Sequence, residues 1–222
     1  MLIPKIESYY KYPLFTYDFG SYFSSESSIH GYIHIPKNAS TYTKNIFRSG
    51  LNFKTVKNYY VSPAEGTLLV IVRDPVERWV SGISEYFWSQ HLSIDIDNKT
   101  LLKFITERIV FDEHTEPQVN FLSGLDTDQL TFIRLDNKFK SNLEHFISEI
   151  LKMKNWRWKL GQNEPNTILD LSPNISSAHD IKSRNVDILK NYLETNISIK
   201  EHIKNYYSKD YELFENINYY GK

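Results

Sequence analysis

One short apolar run, LLVIV at Leu68–Val72, constrains the fold of this chain more than any other feature. It lies within Thr67–Val72, a continuous run rich in β-branched residues that predicts a strand buried on both faces of a parallel sheet. A helix is predicted directly after it, because Asp74 is a favourable N-cap, Pro75 suits the first helical position and Glu77 completes the spacing of a capping box.

Further strands and helices alternate along the chain. Short apolar strands are predicted at Tyr32–Ile35 and Leu130–Leu135, and Pro36 ends the first of them. This alternation predicts an α/β fold in which a central parallel sheet is flanked by helices. Besides the helix that starts at Pro75, with its apolar stripe Val76, Val80, Ile83 and Phe87, helices are predicted over 42–50, 101–110, 143–153, 181–193 and 199–206.

Length and composition narrow the function classes. A chain of 222 residues fits one domain spanning 1–222, with residues 1–30 as an irregular or hairpin-like lead-in. The net charge of −1 argues against a nucleic-acid partner, and the lack of cysteine excludes disulfides and thiolate chemistry. No metal is expected, because H-E-x-x-H and similar clusters are missing. Without the pattern of a secretory leader or a membrane span, the expected location is the cytoplasm.

Two strand-to-helix turns are the candidate binding elements. In parallel sheets, ligands bind at the carboxyl ends of the strands, so the turns 36–41 and 73–75 should lie on one edge. The first turn, PKNAST, precedes a predicted helix. Its backbone N–H groups and the positive end of the helix dipole suit a phosphate or sulfate, and Lys37 adds a mobile positive charge.

The second turn places Arg73 at the end of a buried strand. An arginine there is costly unless it meets an anion or a carboxylate. Arg78, Ser81 and Glu85 follow on one helix face, so Arg73 and Ser81 can offer a guanidinium and a hydroxyl to one group. Pairing of Arg73 with Asp74 or Glu77 is the alternative. The G-x-x-x-x-G-K-[ST] and G-x-G-x-x-G motifs are missing, which disfavours ordinary ATP or GTP hydrolysis and NAD binding.

The two turns carry a family resemblance. YIHIPKNAST (32–41) resembles the 5′-phosphosulfate loop of sulfotransferases, the carbohydrate sulfotransferases above all. LVIVRDPVERWVSG (69–82) is similar to their 3′-phosphate motif, R-D-P-x-x-R-x-x-S. DEHTEPQ (112–118) more weakly resembles their H-x-x-P-Q segment. The resemblance implies a P-loop-NTPase-like sulfotransferase fold and 3′-phosphoadenosine 5′-phosphosulfate (PAPS) as sulfate donor. Ser40 departs from the pattern, since many relatives have glycine there.

The resemblance also implies residue roles. Lys37 would contact the phosphosulfate and stabilise the leaving oxygen, while Arg73 and Ser81 would hold the 3′-phosphate. The reaction would be in-line transfer of a sulfuryl group to a hydroxyl or amine, with a saccharide or small molecule favoured as acceptor and no metal required. The sequence leaves the acceptor and the oligomeric state open. The residues that would cradle the phosphosulfate, besides Lys37, are Asn38, Ala39, Ser40, Thr41 and Tyr42.

A general base is needed for the acceptor proton. His114 is the first candidate, because it lies in the H-x-x-P-Q segment and a neighbouring carboxylate, Glu113 or Glu116, can orient its ring; a surface histidine in an acidic loop is the alternative. Glu85 is the second candidate, with a surface ion pair to Arg78 as its alternative. His34, inside the first strand, is interpreted as structural.

Two other functions stay open. One is a nucleotide-dependent phosphotransferase with a divergent phosphate loop. The other is a non-catalytic domain of the same fold that binds a nucleotide or a glycan. Two later stretches bear on ligand binding: the basic and aromatic residues of Lys152–Lys159 can hold an anionic glycan, and Lys182 or Arg184 can reach a phosphate. A solvated helix surface is the ordinary interpretation of both.

Overall fold

Five strands form one mixed sheet in the part of the chain that the computed structural model describes: residues 22–26, 28–56, 66–90, 92–94, 99–153 and 176–221, with the backbone alone for 176–180. The strands are β1 (Tyr22–Ser25), β2 (Ser28–Ile33), β3 (Lys54–Val56), β4 (Leu68–Val72) and β5 (Leu130–Arg134). The order across the sheet is β3-β1-β2-β4-β5. Every residue of β4 is buried, as its unbroken apolar sequence predicts.

Only part of this sheet is parallel. β2, β4 and β5 run parallel, with Tyr32 beside Leu69 and Leu69 beside Thr131, which confirms the α/β class. The prediction of a parallel sheet is wrong for β1 and β3, which are antiparallel: β1 pairs with β2, Ser25 opposite Ser28, and with β3 on its other side. A connection as short as that between β1 and β2 cannot cross over to a parallel neighbour. β1 and β2 therefore pair as a hairpin, which agrees with a hairpin-like lead-in; residues 1–21 and 27 of the predicted lead-in lie outside the described residues.

Seven α-helices occur in the described ranges. The structure confirms every predicted helical segment, with shifted ends. It also has one helix, the last, that the sequence periodicity does not predict. The first and fourth helices each continue into a π-helical turn, Ile46–Gly50 and Phe146–Ile150. The helices are α1 (Ser40–Asn45), α2 (Pro75–Ser89), α3 (Lys99–Arg108), α4 (Phe139–His145), α5 (Ser176–Thr195), α6 (Ile197–Tyr206) and α7 (Ser208–Glu215).

Apolar side chains cover both faces of the sheet. Leu69 and Ile71 of β4 point into a cluster with α1 and α4, and Val70 and Val72 point into a cluster with α7 and residues 119–125. The predicted stripe of α2 is buried against α3, α5 and α6. No helix of the described residues is long and apolar enough to cross a membrane. This arrangement leaves the carboxyl ends of β2 and β4 beside each other, where the two candidate turns begin.

Candidate functional site

The two turns meet at one edge of the sheet. The side-chain amide of Asn38 donates to the carbonyl of Ile71 at 2.7 Å, and the guanidinium of Arg73 donates to the carbonyl of Lys37 at 3.3 Å. The first turn therefore contacts the end of β4 directly, and the second turn reaches back to the first. We name these turns the lysine corner (residues 36–41) and the arginine corner (residues 73–75).

The lysine corner has an unusual backbone. Lys37 and Ala39 have φ of 69° and 53°, a left-handed conformation that costs a non-glycine residue about 1 kcal/mol. The first helical hydrogen bond of α1 runs from the Thr43 N–H to the Ala39 carbonyl at 2.9 Å. The N–H groups of Ser40 and Thr41 precede that bond, so the helix itself does not use them. A loop of this form presents backbone amides to an anion.

The arginine corner takes its shape mainly from neighbouring residues of the chain. Asp74 accepts a hydrogen bond from the Glu77 N–H at 3.0 Å, which confirms the predicted N-cap, and a second one from the Tyr211 hydroxyl at 3.2 Å. Arg73 lies 3.5 Å from the Glu77 carboxylate, whose side chain is 61% exposed. An ion pair this exposed contributes little, so it leaves the Arg73 guanidinium available to a ligand.

Gln118 joins the two corners. Its side-chain oxygen accepts from the Asn38 amide at 2.6 Å and from the Arg73 N–H at 3.1 Å, and its side-chain N–H donates to the Arg73 carbonyl at 2.8 Å. Asp210 of α7 fixes the backbone of Gln118, since its carboxylate accepts hydrogen bonds from the N–H groups of Gln118 and Val119 at 2.9 Å each. No local sequence pattern assigns this role to Gln118, although it is the last residue of the H-x-x-P-Q segment.

Arg78 also supports the lysine corner. The spacing predicts Arg78 on one helix face with Ser81 and Glu85, away from the apolar stripe; the structure instead buries Arg78, which is 1% exposed. Its guanidinium donates to the carbonyl of Pro36 at 2.9 Å and to that of Glu113 at 3.0 Å, and a further bond reaches the Glu116 carbonyl. A planar fork with several donors can satisfy backbone carbonyls from two loops at once, which an ammonium group cannot do in this geometry.

Lys37 is paired across the corner with a carboxylate of α2. Its Nζ lies 2.9 Å from Oε2 of Glu85, and Nζ of Lys182 on α5 lies 2.5 Å from the same oxygen. Burial, together with the charge of Lys182, lowers the pKa of Lys37 to about 8. Although burial alone would raise it, the two ammonium groups lower the pKa of Glu85 to about 2. The alternative pairing of Glu85 with Arg78 is therefore wrong.

His114 lies against the same helix. A Cβ on Gly82 would come within 2.4 Å of the His114 carbonyl, so glycine permits this close approach of α2. Nδ1 of His114 is 3.1 Å from the Asp112 carboxylate, which orients the ring in place of the expected Glu113 or Glu116. Asp112, Glu113 and His114 offer ligand atoms within 4.8 Å of one another, but nothing else in the described residues points to an ion there.

The other predicted residues have varied surroundings. His34 stacks on Tyr32 and Phe23, and burial, with the charges of Lys44 and His114, lowers its pKa to about 4. A neutral, stacked ring fits the structural role expected for His34. Ser81 is half-buried on α2, and no hydrogen bond joins it to Arg73 in the described structure. Tyr42, also half-buried, packs edge-on against Phe139. Of the basic and aromatic stretch Lys152–Lys159, residues 154–159 lie outside the described residues.

A pocket of about 190 Å³ opens beside the arginine corner. Its walls include Arg73 and Arg134 at the carboxyl ends of β4 and β5, and the rings of Tyr211, Phe214 and Tyr219. Cationic groups therefore lie near both corners. Arg73 and Arg134 line the pocket beside the arginine corner, and Lys182 of α5 lies with Lys37 of the lysine corner at Glu85.

Comparison with family models, curated proteins and solved structures finds no match to this chain.

Proposed function

We propose that this protein is a PAPS-dependent sulfotransferase with a P-loop-NTPase-like sulfotransferase fold. The observation that carries the proposal is the meeting of the lysine and arginine corners at one sheet edge, where the Arg73 guanidinium donates to the Lys37 carbonyl. Two corners with cationic side chains, side by side, suit a ligand with an anionic group at each end. The sequence resemblance names such a ligand. On sequence grounds we also propose a cytoplasmic location.

The residues present fit this donor. Lys37 is 14% exposed at its side chain, and Arg73 is 24% exposed, so both cations reach the surface while their charges are only partly screened by water. Ser40 and Thr41 add backbone N–H groups that α1 does not use. In this proposal, the residues 37–42 hold the phosphosulfate, and Arg73 with Ser81 holds the 3′-phosphate. The donor supplies an activated sulfuryl group whose bond to the 5′-phosphate breaks during transfer.

The chain's own groups would assist that transfer by electrostatics and proton acceptance. Lys37 places a positive charge where the leaving oxygen becomes negative, which lowers the barrier more than it strengthens ground-state binding. His114 is the proposed base: Nδ1 faces Asp112, so Nε2 is the nitrogen that would take the proton of the acceptor hydroxyl or amine. Glu85 is a poor second candidate, because a carboxylate with a pKa of about 2 accepts protons weakly near neutrality.

Ligand selectivity tests this proposal first. Thermal shift assays with 3′-phosphoadenosine 5′-phosphate, ATP with magnesium, and NAD should show stabilisation by the bisphosphate alone. Stabilisation by ATP with magnesium instead would favour the phosphotransferase. Transfer of radiolabelled sulfate from PAPS to a panel of saccharides and small hydroxyl compounds then separates an enzyme from a non-catalytic binding domain. Binding without transfer to any acceptor, in a protein that also lacks slow PAPS hydrolysis, would support the binding domain.

Variants locate the chemistry. Lys37→Ala should lower turnover by about 100-fold or more while it weakens bisphosphate affinity much less. Lys54→Ala, an exposed lysine on β3 at the far edge of the sheet, is the control and should behave like wild type. His114→Ala should lower turnover by about 100-fold without loss of bisphosphate binding. Equal rates for His114→Ala and wild type would remove His114 from the mechanism.

A further inference from the structure

Two lysines from distant parts of the chain share one carboxylate oxygen. Lys37 comes from the lysine corner and Lys182 from α5, and both Nζ atoms lie within hydrogen-bond distance of Oε2 of Glu85, at 2.9 and 2.5 Å. The side chains of Lys37, Glu85 and Lys182 are 14%, 20% and 34% exposed. Glu85 thus holds the two ammonium groups next to each other in a half-buried position.

The charges of this cluster do not balance. Two ammonium groups and one carboxylate leave a net charge of +1 in a place that water reaches only in part. The Nζ of Lys182 also lies 5.7 Å from the centre of the Trp88 ring, so an aromatic surface replaces part of its hydration. Repulsion between two half-buried cations is relieved when an anion binds between them. Lys37, which belongs to the lysine corner, brings this cluster to the sheet edge where the two corners meet.

We propose that Lys182 is a second binding residue for the sulfate-bearing end of the donor, that it forms a two-lysine clamp with Lys37, and that Glu85 is the positioning residue of this clamp. The proposal rests on the proposed function for the identity of the anion. It gives a residue of α5 a direct part in the site, although α5 lies outside both sequence motifs. In this proposal Lys182 binds an anion, and it is not merely a helix-surface residue.

The clamp also explains the properties of Glu85. A general base must accept a proton, whereas Glu85 has a carboxylate that is stabilised in its charged form by both lysines. A fixed negative charge between two flexible lysine side chains reduces the entropy that they lose when an anion binds. Glu85 therefore acts through Lys37 and Lys182, without contact to the reacting atoms.

The kinetic test compares two lysines of the same helix. Lys182→Gln should lower kcat by about 10- to 100-fold, because the clamp acts on charge that grows at the leaving oxygen, and weaken bisphosphate affinity by only a few fold. Lys190→Gln, an exposed residue two turns further along α5, is the control and should leave both unchanged. Lys182→Arg should restore much of kcat, since it keeps the cation. If Lys182→Gln and Lys190→Gln have equal kcat while wild type transfers sulfate, the clamp is refuted and the proposed function stands.

A second readout does not need turnover. The pKa of the Lys37 ammonium, followed by NMR of isotopically labelled lysine, should rise in Lys182→Gln and fall in Glu85→Gln. Inorganic sulfate, used as the probe anion, should raise this pKa in wild type and raise it less in Lys182→Gln. If sulfate raises the Lys37 pKa in this way but the protein transfers no sulfuryl group to any acceptor, the clamp stands and the proposed function fails. A Lys37 pKa that is the same in wild type and Lys182→Gln, in folded proteins, would overturn the clamp; Lys182→Met serves the same comparison if the glutamine variant does not fold.

Discussion

In the proposed function the two corners bind the two ends of one ligand, but they are held in different ways. The arginine corner is determined mainly locally: Asp74, Pro75 and Glu77 provide a cap, a first helical residue and a capping-box spacing within four positions of the chain, and Gln118 adds two bonds to the Arg73 backbone. The lysine corner is determined from a distance. Its left-handed residues are held because Asn38 bonds to Ile71 and Gln118, and because Arg78 bonds to the Pro36 carbonyl.

The difference teaches where a binding loop obtains its shape. A locally encoded turn folds into its conformation with little help, whereas a strained loop needs neighbours that over-determine it. At the lysine corner those neighbours come from β4, α2 and residues 113–118. Substitutions of these distant neighbours should therefore change stability and ligand affinity more than substitutions within the arginine corner do.

The largest effect is expected at Arg78. Arg78→Lys should lower the free energy of unfolding by about 3 kcal/mol, because an ammonium cannot satisfy the three carbonyls that the buried guanidinium holds. Chemical denaturation measures this, with the exposed Arg48→Lys as control. A loss no larger than that of the control would mean that the lysine corner does not depend on this contact.

The next effect is expected at Asn38. Asn38→Ala removes buried hydrogen bonds to Ile71 and Gln118 and should cost about 2 kcal/mol of stability. It should also weaken bisphosphate binding, because the loop between Lys37 and Ala39 loses its anchor. Denaturation and calorimetry of the same protein check both, with exposed Asn191→Ala as control. If Asn38→Ala is less stable but binds the bisphosphate with wild-type affinity, the bonds of Asn38 do not determine the binding conformation of the loop.

A pH effect of about tenfold in affinity should distinguish the two corners. The pKa of Lys37 is lowered to about 8, below the ordinary lysine value of 10.5, so its positive charge is lost as pH rises through about 8. Above that value, bisphosphate affinity should fall with rising pH, by about tenfold in all once the charge of Lys37 is lost. Titration calorimetry from pH 7 to 9.5 measures it, and Lys37→Arg should show a flat profile. A flat profile in wild type would contradict the lowered pKa.

The smallest effect is expected at the arginine corner. Asp74→Ala removes the N-cap and the bond from Tyr211 and should cost about 1 kcal/mol. Because the corner is encoded locally, bisphosphate affinity should change less than in Asn38→Ala. Asp187→Ala on the exposed side of α5 is the control. An affinity loss larger than that of Asn38→Ala would reverse the comparison.

The sequence predicts the locally encoded parts well. The start of α2, its buried stripe and the buried strand β4 all follow from short-range patterns, and the structure confirms each of them. The bounds of β1 and β3 are not predicted because neither carries an apolar alternation strong enough to identify it, and β3 is fully exposed. The antiparallel pairing of β1 with β2 follows from their short connection, which fits the hairpin-like lead-in, whereas the pairing of β1 with β3 joins distant parts of the chain.

The contacts of the site are less predictable, and the reason is physical. Glu85 and Arg78 are two helical turns apart on α2, and spacing alone suggested that they share a face. The choice of Lys37 and Lys182 as partners of Glu85 depends on how α5 packs against α2, which no local pattern specifies. Gln118 and Asp210 likewise act only because the chain folds back, since 92 positions separate them.

The account depends most on two corners that bind opposite ends of one doubly phosphorylated adenosine. Calorimetry of wild type, Lys37→Ala and Arg73→Ala with the 3′,5′-bisphosphate, adenosine 5′-phosphate and adenosine 3′-phosphate tests this directly. Arg73→Ala should weaken binding of ligands that carry a 3′-phosphate and leave adenosine 5′-phosphate unchanged, and Lys37→Ala should show the reverse preference. If each variant weakened all three ligands equally, the two corners would not bind separate phosphates and the account would be contradicted.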